Sequence, residues 1–239
     1  MNRKIFLFGY GKHGRAIAKG LMGKGFRLSI IESDKKNHKA SKADGFTDTI
    51  LFDVTDDDNL EALVVAPEDE LICVMDDEHL NVFLALSLRP LFPECYILAI
   101  SGSIYTSQKL LMAGANKVID LYEVSANRIH NLLKRPVSTR FLDKILSDNN
   151  GFSFREIEVP EGSFLNGVMV EDVNFYVCRV LLIGLVDLGQ GEHFRFITSG
   201  DEYTLDSGDQ IVCLGMDKDL DNFEAMIKKS EETICVWPS

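Results

Sequence analysis

Short apolar runs recur along the first half of the chain, and most of them are followed by residues with helical spacing. The runs that predict buried strands are residues 4–8, 26–31, 48–52, 70–75, 95–100 and 117–119. The segments that predict helices are residues 13–22, 59–65, 81–89 and 107–113. Strands that are apolar on both faces and alternate with helices are typical of parallel sheets. The pattern therefore predicts an α/β fold with a Rossmann-like, doubly wound parallel sheet.

A different pattern begins near residue 123. Residues 123–146 have an amphipathic helical pattern that Pro136 interrupts, so we expect two helices with a break between them. The polar stretch SDNNG, residues 147–151, reads as a linker. Beyond it, FSFREIEVP alternates in the manner of a strand, further β-rich runs are separated by Gly and Asp turns, and residues 220–229 predict a final helix.

These patterns divide the chain into three parts. Residues 1–122 are predicted to form the Rossmann-like domain. Residues 123–150 are predicted to form a helical crossover and linker, and residues 151–239 a small α+β domain. The amphipathic helices of the crossover either bridge the two domains or pack against a partner subunit.

Composition narrows the classes of protein. Apolar residues make up 46 % of the 239 residues, which favours an ordered core. The formal net charge of −12 opposes binding to nucleic acids and to anionic membrane surfaces. The sequence contains no run of about 18 apolar residues, and its first residues lead directly into a strand rather than a signal peptide. We therefore expect a cytoplasmic protein.

The cysteines and histidines offer no obvious site. The five cysteines form no C-x-x-C pair and are odd in number, so we interpret them as small buried hydrophobic residues rather than a disulfide framework. The five histidines lack the spacing of a zinc site, and no metal is expected.

The stretch FGYGKHG, residues 8–14, carries the first chemical signal. Gly9, Gly11 and Gly14 have the G-x-G-x-x-G spacing between a predicted strand and a predicted helix. The first glycine permits the tight turn, the second lets the backbone approach a pyrophosphate, and the third lets the helix pack on the sheet. The amides and dipole of the helix N-terminus favour an anion. Lys12 and Arg15 add positive charge nearby, while His13 fits either a phosphate contact or a solvated helix start.

An acid at the end of the second predicted strand completes the pattern. Glu32 lies 23 positions after Gly9 and is placed to accept hydrogen bonds from a ribose diol, with Asp34 as the alternative. A carboxylate there repels a 2′-phosphate, which favours NAD(H) or another adenosine nucleotide over NADP. Asp53 and Asp76 end the third and fourth predicted strands, where ligands of open α/β sheets bind.

Two other interpretations of the polar residues remain open. The acidic groups Asp56-Asp57-Asp58 and Asp76-Asp77-Glu78 could hold a hard cation, although acids at helix starts more often serve as caps. An NAD-dependent oxidoreductase would need a proton donor, for which Tyr105, in a Y-x-x-x-K pair with Lys109, and His79 are the candidates. We predict no catalytic residue and keep the oxidoreductase as the alternative.

The order of several motifs resembles the RCK (regulator of K⁺ conductance) family, also called KTN or TrkA-type proteins. The motifs in the first domain are FGYGKHGRAIAKGL, IIESD, LFDVTDDDNL, ICVMDDEHLNVFLAL and LLMAGANKVI. Those in the second are EIEVPEGSFLNGVMV and YTLDSGDQIVCLG, which resemble a TrkA-C domain. Together the motifs extend over nearly the whole chain.

The resemblance implies a regulator that binds NAD(H), ATP or ADP and controls a potassium channel or transporter. It implies a homodimer formed by the crossover helices, and a larger ring held at the inner face of the membrane by its partner. It also implies phosphate contacts from the loop, a ribose contact from Glu32, and an adenine side lined by Asp53, Val54 and Asp76. The implied loop residues are Gly9, Tyr10, Gly11, Lys12, His13 and Gly14. The chain would be a separate subunit or the cytoplasmic part of a longer channel.

Overall fold

The computed structural model describes residues 4–146, 151–187, 193–198 and 202–229. The chain divides into two compact units, Met1–His130 and Asn131–Ser239, and the division falls inside the predicted crossover segment. Most of the predicted linker at residues 147–151 and part of the β-rich stretch after Asp187 lie outside the described residues.

The first unit is built on a six-stranded parallel sheet with the strand order β3-β2-β1-β4-β5-β6. The strands are β1 (Lys4–Phe8), β2 (Arg27–Glu32), β3 (Thr49–Leu51), β4 (Glu70–Cys73), β5 (Tyr96–Ser101) and β6 (Lys117–Asp120). The order reverses at β1, so the carboxyl ends of β1 and β4 border the crevice where such sheets bind ligands. The predicted Rossmann-like fold is confirmed.

Helices connect these strands and cover both faces of the sheet. They are α1 (Lys12–Leu21), α2 (Lys35–Ala43), α3 (Asp57–Glu61), α4 (Glu78–Leu91) and α5 (Ile104–Met112). Alternate residues of β1 enter two separate cores: Ile5 and Leu7 pack with residues of α1 and α2, while Phe6 and Phe8 pack with residues of α3, α4 and α5. Apolar runs on both faces of the strands are explained by these two cores.

Helix α2 is absent from the sequence-based expectations. Its residues KKNHKASKA contain two alanines and no larger apolar side chain, so no apolar stripe marks the helix. Its start is fixed instead by Asp34, whose Oδ1 accepts hydrogen bonds from the N–H groups of Lys36 and Asn37.

Acidic side chains cap two further helices of this unit. Asp56 accepts a hydrogen bond from the N–H group of Asp58 at the start of α3. Asp77 accepts one from the N–H group of His79 at the start of α4. The capping explanation is therefore confirmed for Asp56 and Asp77.

Two helices follow β6, with the predicted break at Pro136. Helix α6 (Leu121–Lys134) ends one residue before Arg135, and helix α7 (Pro136–Leu146) begins at the proline itself. Proline suits a first helical position because its missing N–H group would have no partner there. Every residue of α6 is at least partly exposed.

The second unit contains a four-stranded antiparallel sheet with the order β10-β9-β12-β7 and a two-stranded sheet of β8 and β11. The strands are β7 (Phe152–Glu158), β8 (Val168–Met169), β9 (Val180–Val186), β10 (Phe194–Phe196), β11 (Thr204–Leu205) and β12 (Gln210–Met216). The final helix, α8 (Asp217–Lys229), buries Leu220, Phe223 and Ile227 in the core of this unit. A small α+β arrangement is confirmed for this part of the chain.

The cysteines follow the prediction only in part. Cys73, Cys95 and Cys213 are free and buried, and burial raises the pKa of the Cys73 thiol to about 12. Cys178 is disulfide-bonded, so the expectation that no cysteine is paired is wrong. Within the described ranges, no helix has both the length and the apolar character that crossing a bilayer requires.

Candidate functional site: the glycine loop and its carboxylates

The glycine loop between β1 and α1 brings two backbone segments into unusually close contact. A Cβ atom on Gly14 would lie 2.0 Å from the carbonyl oxygen of Gly9, a separation that no side chain permits. Gly9 has a φ of +109°, which lies outside the region that L residues normally adopt, and its N–H group donates to the carbonyl of Ile31. The start of α1 is thereby held directly against the end of β1.

Tyr10 anchors the loop from inside. Its side chain is buried and packs edge-to-face on Phe46, with ring centroids 5.6 Å apart. Its hydroxyl donates to Asp44 Oδ2 at 2.9 Å, and burial, together with this carboxylate, raises the pKa of the phenol. The loop residue between the first two glycines is therefore a structural anchor through its side chain.

Glu32 lies beneath the loop and accepts three backbone hydrogen bonds. Oε2 accepts from the N–H group of Tyr10 at 2.6 Å, and Oε1 accepts from those of Ser33 and Asp34 at 2.8 and 2.9 Å. The side chain is only 2 % exposed. Glu32 thus ties β2 to the glycine loop. Its assigned ribose contact stays a prediction, and the alternative, Asp34, is exposed at the start of α2.

The residues that follow β3 lie on the same side of the loop as Glu32, next to the end of β2. Asp53 Oδ1 accepts hydrogen bonds from the N–H and hydroxyl groups of Thr55, and these bonds hold the pKa of Asp53 below its usual value. The side chain of Val54 is 1 % exposed and belongs to the core. Its N–H group donates to the hydroxyl of Ser33. Any contact of Val54 with a ligand would therefore come from its backbone.

Asp76 lies on the opposite side of the loop, at the N-terminus of α1. Its Oδ2 accepts a hydrogen bond from the N–H group of Lys12 at 2.9 Å, and its Oδ1 accepts one from that of His13 at 3.2 Å. The His13 ring nitrogen Nδ1 lies 3.3 Å from Oδ1. A carboxylate therefore occupies the position that the glycine pattern assigns to an anion.

A pocket of about 250 Å³ opens beside Asp76, and we call it the β4–β5 pocket. Its lining residues are Lys12, His13, Met75, Asp76, Glu78, Asn81, Ile100, Ser101, Gly102, Leu121, Tyr122 and Ser125. The position beyond the carboxyl ends of neighbouring parallel strands is typical of ligand sites in this class of sheet.

Asn81 fixes the backbone that leads from β4 into this pocket. It is fully buried on α4, and its side chain accepts from the N–H group of Met75 at 2.8 Å and donates to the Met75 carbonyl at 3.0 Å. Sequence reasoning did not single out Asn81. Its only signal in the sequence is a polar residue at the start of the mostly apolar helical stretch of residues 81–89.

Asp44 is a second residue that the sequence patterns did not indicate. Arg15 donates from Nε to Asp44 Oδ2 at 2.6 Å and from Nη2 to Oδ1 at 3.0 Å, and Lys19 Nζ lies 3.0 Å from Oδ1. The Arg15 guanidinium holds the pKa of Asp44 well below its usual range. Arg15, expected to add positive charge near the loop, is therefore paired with a carboxylate.

The two proton donors considered for an oxidoreductase lie elsewhere. Tyr105 is on the outer surface of α5 with 75 % of its area exposed, and His79 is exposed in the first turn of α4. Neither side chain lines the β4–β5 pocket.

Comparison with known proteins identifies the class of the first unit. Residues 5–121 match the family model of the TrkA-N domain. The chain therefore carries a TrkA-N domain, and the family resemblance stated from the motifs is confirmed for this part of the sequence.

Two relatives from Methanocaldococcus jannaschii extend the comparison. Potassium channel protein 1 is 28 % identical over 170 residues, which cover 71 % of this chain and 51 % of that protein. Probable potassium channel protein 2 is 26 % identical over 235 residues, which cover 95 % of this chain and 67 % of that protein. The chain thus spans about half of the length of the first relative.

A solved structure is similar in fold over most of the chain. The human SLO3 gating ring aligns with 92 % of this chain and 45 % of its own, with a TM-score of 0.64 and 13 % identity. At this identity the similarity concerns the fold.

The glycine loop leads to a stability prediction. Substituting Gly14→Ala forces the new methyl group into the Gly9 carbonyl, and we expect a loss of about 1–3 kcal/mol in the free energy of unfolding. The matched control is Gly20→Ala on the same helix, where nothing lies within 4 Å of the added Cβ. That change should stabilise by about 0.5–1 kcal/mol, because alanine favours helix over glycine. Urea unfolding of both variants measures these changes in stability. Equal effects of the two substitutions would contradict the close approach of Gly14 to the Gly9 carbonyl.

Proposed function

We propose that the chain is the cytoplasmic regulatory part of a potassium channel or transporter, and that it responds to an adenine nucleotide bound at the glycine loop. The observation that carries this proposal is the TrkA-N domain whose α1 amides, at Lys12 and His13, already hold a carboxylate. Both relatives from Methanocaldococcus jannaschii are named potassium channel proteins, which supports a channel as the partner. The chain acts as a separate subunit or as part of a longer polypeptide.

The expected ligand is NAD(H), ATP or ADP. Its diphosphate takes the amides of Lys12 and His13 and the positive end of the α1 dipole. Its adenosine lies on the β2–β3 side, where Glu32 or Asp34 accepts from the ribose diol. Asp53 and the backbone at Val54 border that side. Both acids at the end of β2 disfavour a 2′-phosphate, so NADP(H) is a poor ligand.

Regulation requires that the nucleotide bind two shapes of the protein with different affinities. A ligand shifts a conformational equilibrium only by that difference. The loop is suited to pass a change at the bound nucleotide to the rest of the domain. The Tyr10 backbone is hydrogen-bonded to Glu32 at the end of β2, and the Tyr10 hydroxyl is hydrogen-bonded to Asp44. A change at the phosphates is thereby coupled to the packing of α1.

Nucleotide binding is tested with a substitution in the loop. Gly11→Asp places a side chain and a negative charge where the phosphates dock, so we expect saturable binding of NAD(H), ATP or ADP to be lost. The control is Gly20→Asp, the same chemical change at the open surface of α1. Isothermal titration calorimetry measures both variants against the unsubstituted protein, with NADP(H) as a ligand control that binds more weakly. The proposal is contradicted if the unsubstituted protein binds none of these nucleotides.

Self-association is the second part of the proposed function. The end of α6 and helix α7 present large apolar side chains to solvent: Leu133 is 79 %, Val137 72 % and Leu146 70 % exposed. Several large apolar side chains exposed along neighbouring helical segments are a feature of interaction sites. We propose that these helices bury that surface against a second copy of the chain, and that such dimers form the ring suggested by the family.

The oligomer is tested on the same helices. The double change Leu133→Glu and Val137→Glu should weaken dimerisation by about 100-fold or more, since each buried apolar side chain contributes about 1.5–3 kcal/mol. Ser138→Glu, on the exposed surface of α7, adds a charge at a neighbouring position and serves as the control. Sedimentation velocity over a concentration series gives the dissociation constants. A monomeric unsubstituted protein, or equal effects of both changes, would overturn the assignment.

A further inference from the structure

The N-terminus of α1 receives its cap from a distant residue. The N-cap position is Gly11, which has no side chain and makes no side-chain cap hydrogen bond. Helices α2, α3, α4 and α5 are capped by their own N-cap residues, Asp34, Asp56, Asp77 and Ser103. For α1 the capping acceptor is Asp76, which lies 64 positions along the chain from Lys12.

The Asp76 carboxylate occupies the volume that a nucleotide phosphate would need. Its oxygens lie 2.9 and 3.2 Å from the nitrogens of Lys12 and His13, which are hydrogen-bond distances. A Cβ atom on Gly11 would lie 2.2 Å from Asp76 Oδ2, so the carboxylate rests directly on the glycine. The glycine pattern requires a phosphate to rest there as well. Two anions cannot share that volume.

The surroundings allow the carboxylate to move but keep its charge nearby. The Asp76 side chain is 50 % exposed, so rotation about its side-chain bonds carries the carboxylate towards solvent. The backbone on either side of Asp76 is held in place. Met75, which precedes it, is hydrogen-bonded to Asn81, and Asp77, which follows it, caps α4. After rotation the negative charge therefore remains beside the phosphates.

The adjoining pocket adds a second negative charge. Glu78 lines the β4–β5 pocket and accepts a hydrogen bond from the N–H group of Gly102 at 2.8 Å. Lys12 and His13 line the pocket as well. A phosphate chain that extends past the α1 amides into this pocket meets both Asp76 and Glu78.

We propose that Asp76 is a tethered competitor of the nucleotide's phosphates and a determinant of nucleotide specificity. It occupies the α1 amides when no nucleotide is bound and is displaced on binding. Because its charge stays close, it penalises ligands in proportion to their charge and selects a diphosphate-containing nucleotide, such as ADP or NAD, over a triphosphate. This inference rests on the proposed nucleotide site.

The test compares Asp76→Asn and Asp76→Ala with the unsubstituted protein. Isothermal titration calorimetry is run in about 0.15 M salt with EDTA, which removes divalent cations, and with adenosine, ADP and ATP as ligands. Removing the competing charge should tighten ADP binding about tenfold and ATP binding by more. Adenosine, which carries no phosphate, should bind with unchanged affinity. Asp76→Asn keeps the size of the side chain and guards against a folding defect in Asp76→Ala.

Asp77→Asn is the matched control. It removes the same charge one residue further along, and asparagine still caps α4 well. Its ADP affinity should stay within about threefold of the unsubstituted protein, since an exposed charge off the amides is screened. Equal tightening by Asp77→Asn and Asp76→Asn would show a general charge effect and would overturn the specific competition.

The remaining outcomes separate this inference from the proposed function. If the unsubstituted protein binds ADP and neither Asp76 variant binds it more tightly, the tethered competitor is refuted while the nucleotide site stands. If none of the proteins binds any adenine nucleotide, the proposed function is refuted and this inference falls with it.

Discussion

The contact between Gly14 and the carbonyl of Gly9 is the constraint on which the site depends. It holds the first turn of α1 against the end of β1, and the amides of Lys12 and His13 donate to Asp76, which follows β4 beside the point where the sheet reverses its order. Unsatisfied amides at a helix start require an acceptor, and the helix dipole makes that acceptor an anion. The glycine spacing matters because it places amides that need an acceptor where a ligand can reach them.

Three carboxylates organise the surroundings of the loop, each in a different way. Glu32 accepts backbone hydrogen bonds from below, Asp44 joins the loop tyrosine to a basic pair on α1, and Asp76 covers the open amides. The hydrogen-bonding groups of the loop are therefore satisfied by side chains of the chain itself. Under the proposal, an anionic nucleotide would approach a chain with a net charge of −12 and would bind by replacing an internal contact.

Much of this arrangement could be predicted from local patterns. The alternation of strand and helix, the glycine spacing and the break at Pro136 each act over a few residues, and the structure confirms the fold that they indicate. Helix α2 escaped prediction because it lacks an apolar stripe. The disulfide-bonded state of Cys178 escaped prediction because cysteine number and spacing do not determine pairing.

The details of the site depend on contacts between distant parts of the chain. Asp44 meets Tyr10 across 34 positions, and Asp76 meets Lys12 across 64. The sequence patterns predicted that Glu32 and Asp76 lie near a ligand. They contained no signal that Glu32 would be buried beneath the loop or that Asp76 would accept hydrogen bonds from the α1 amides. Such roles follow from tertiary packing rather than from spacing.

The central claim is that a nucleotide's diphosphate docks on the first amides of α1, and selective amide labelling tests it directly. The chain has five histidines, so ¹⁵N-histidine labelling gives a simple proton–nitrogen correlation spectrum in which His13 reports on that position. On titration with ADP or NAD, the account predicts a saturable shift of the His13 amide that exceeds the shifts of the other four. An unchanged His13 amide at a nucleotide concentration that saturates binding would contradict it.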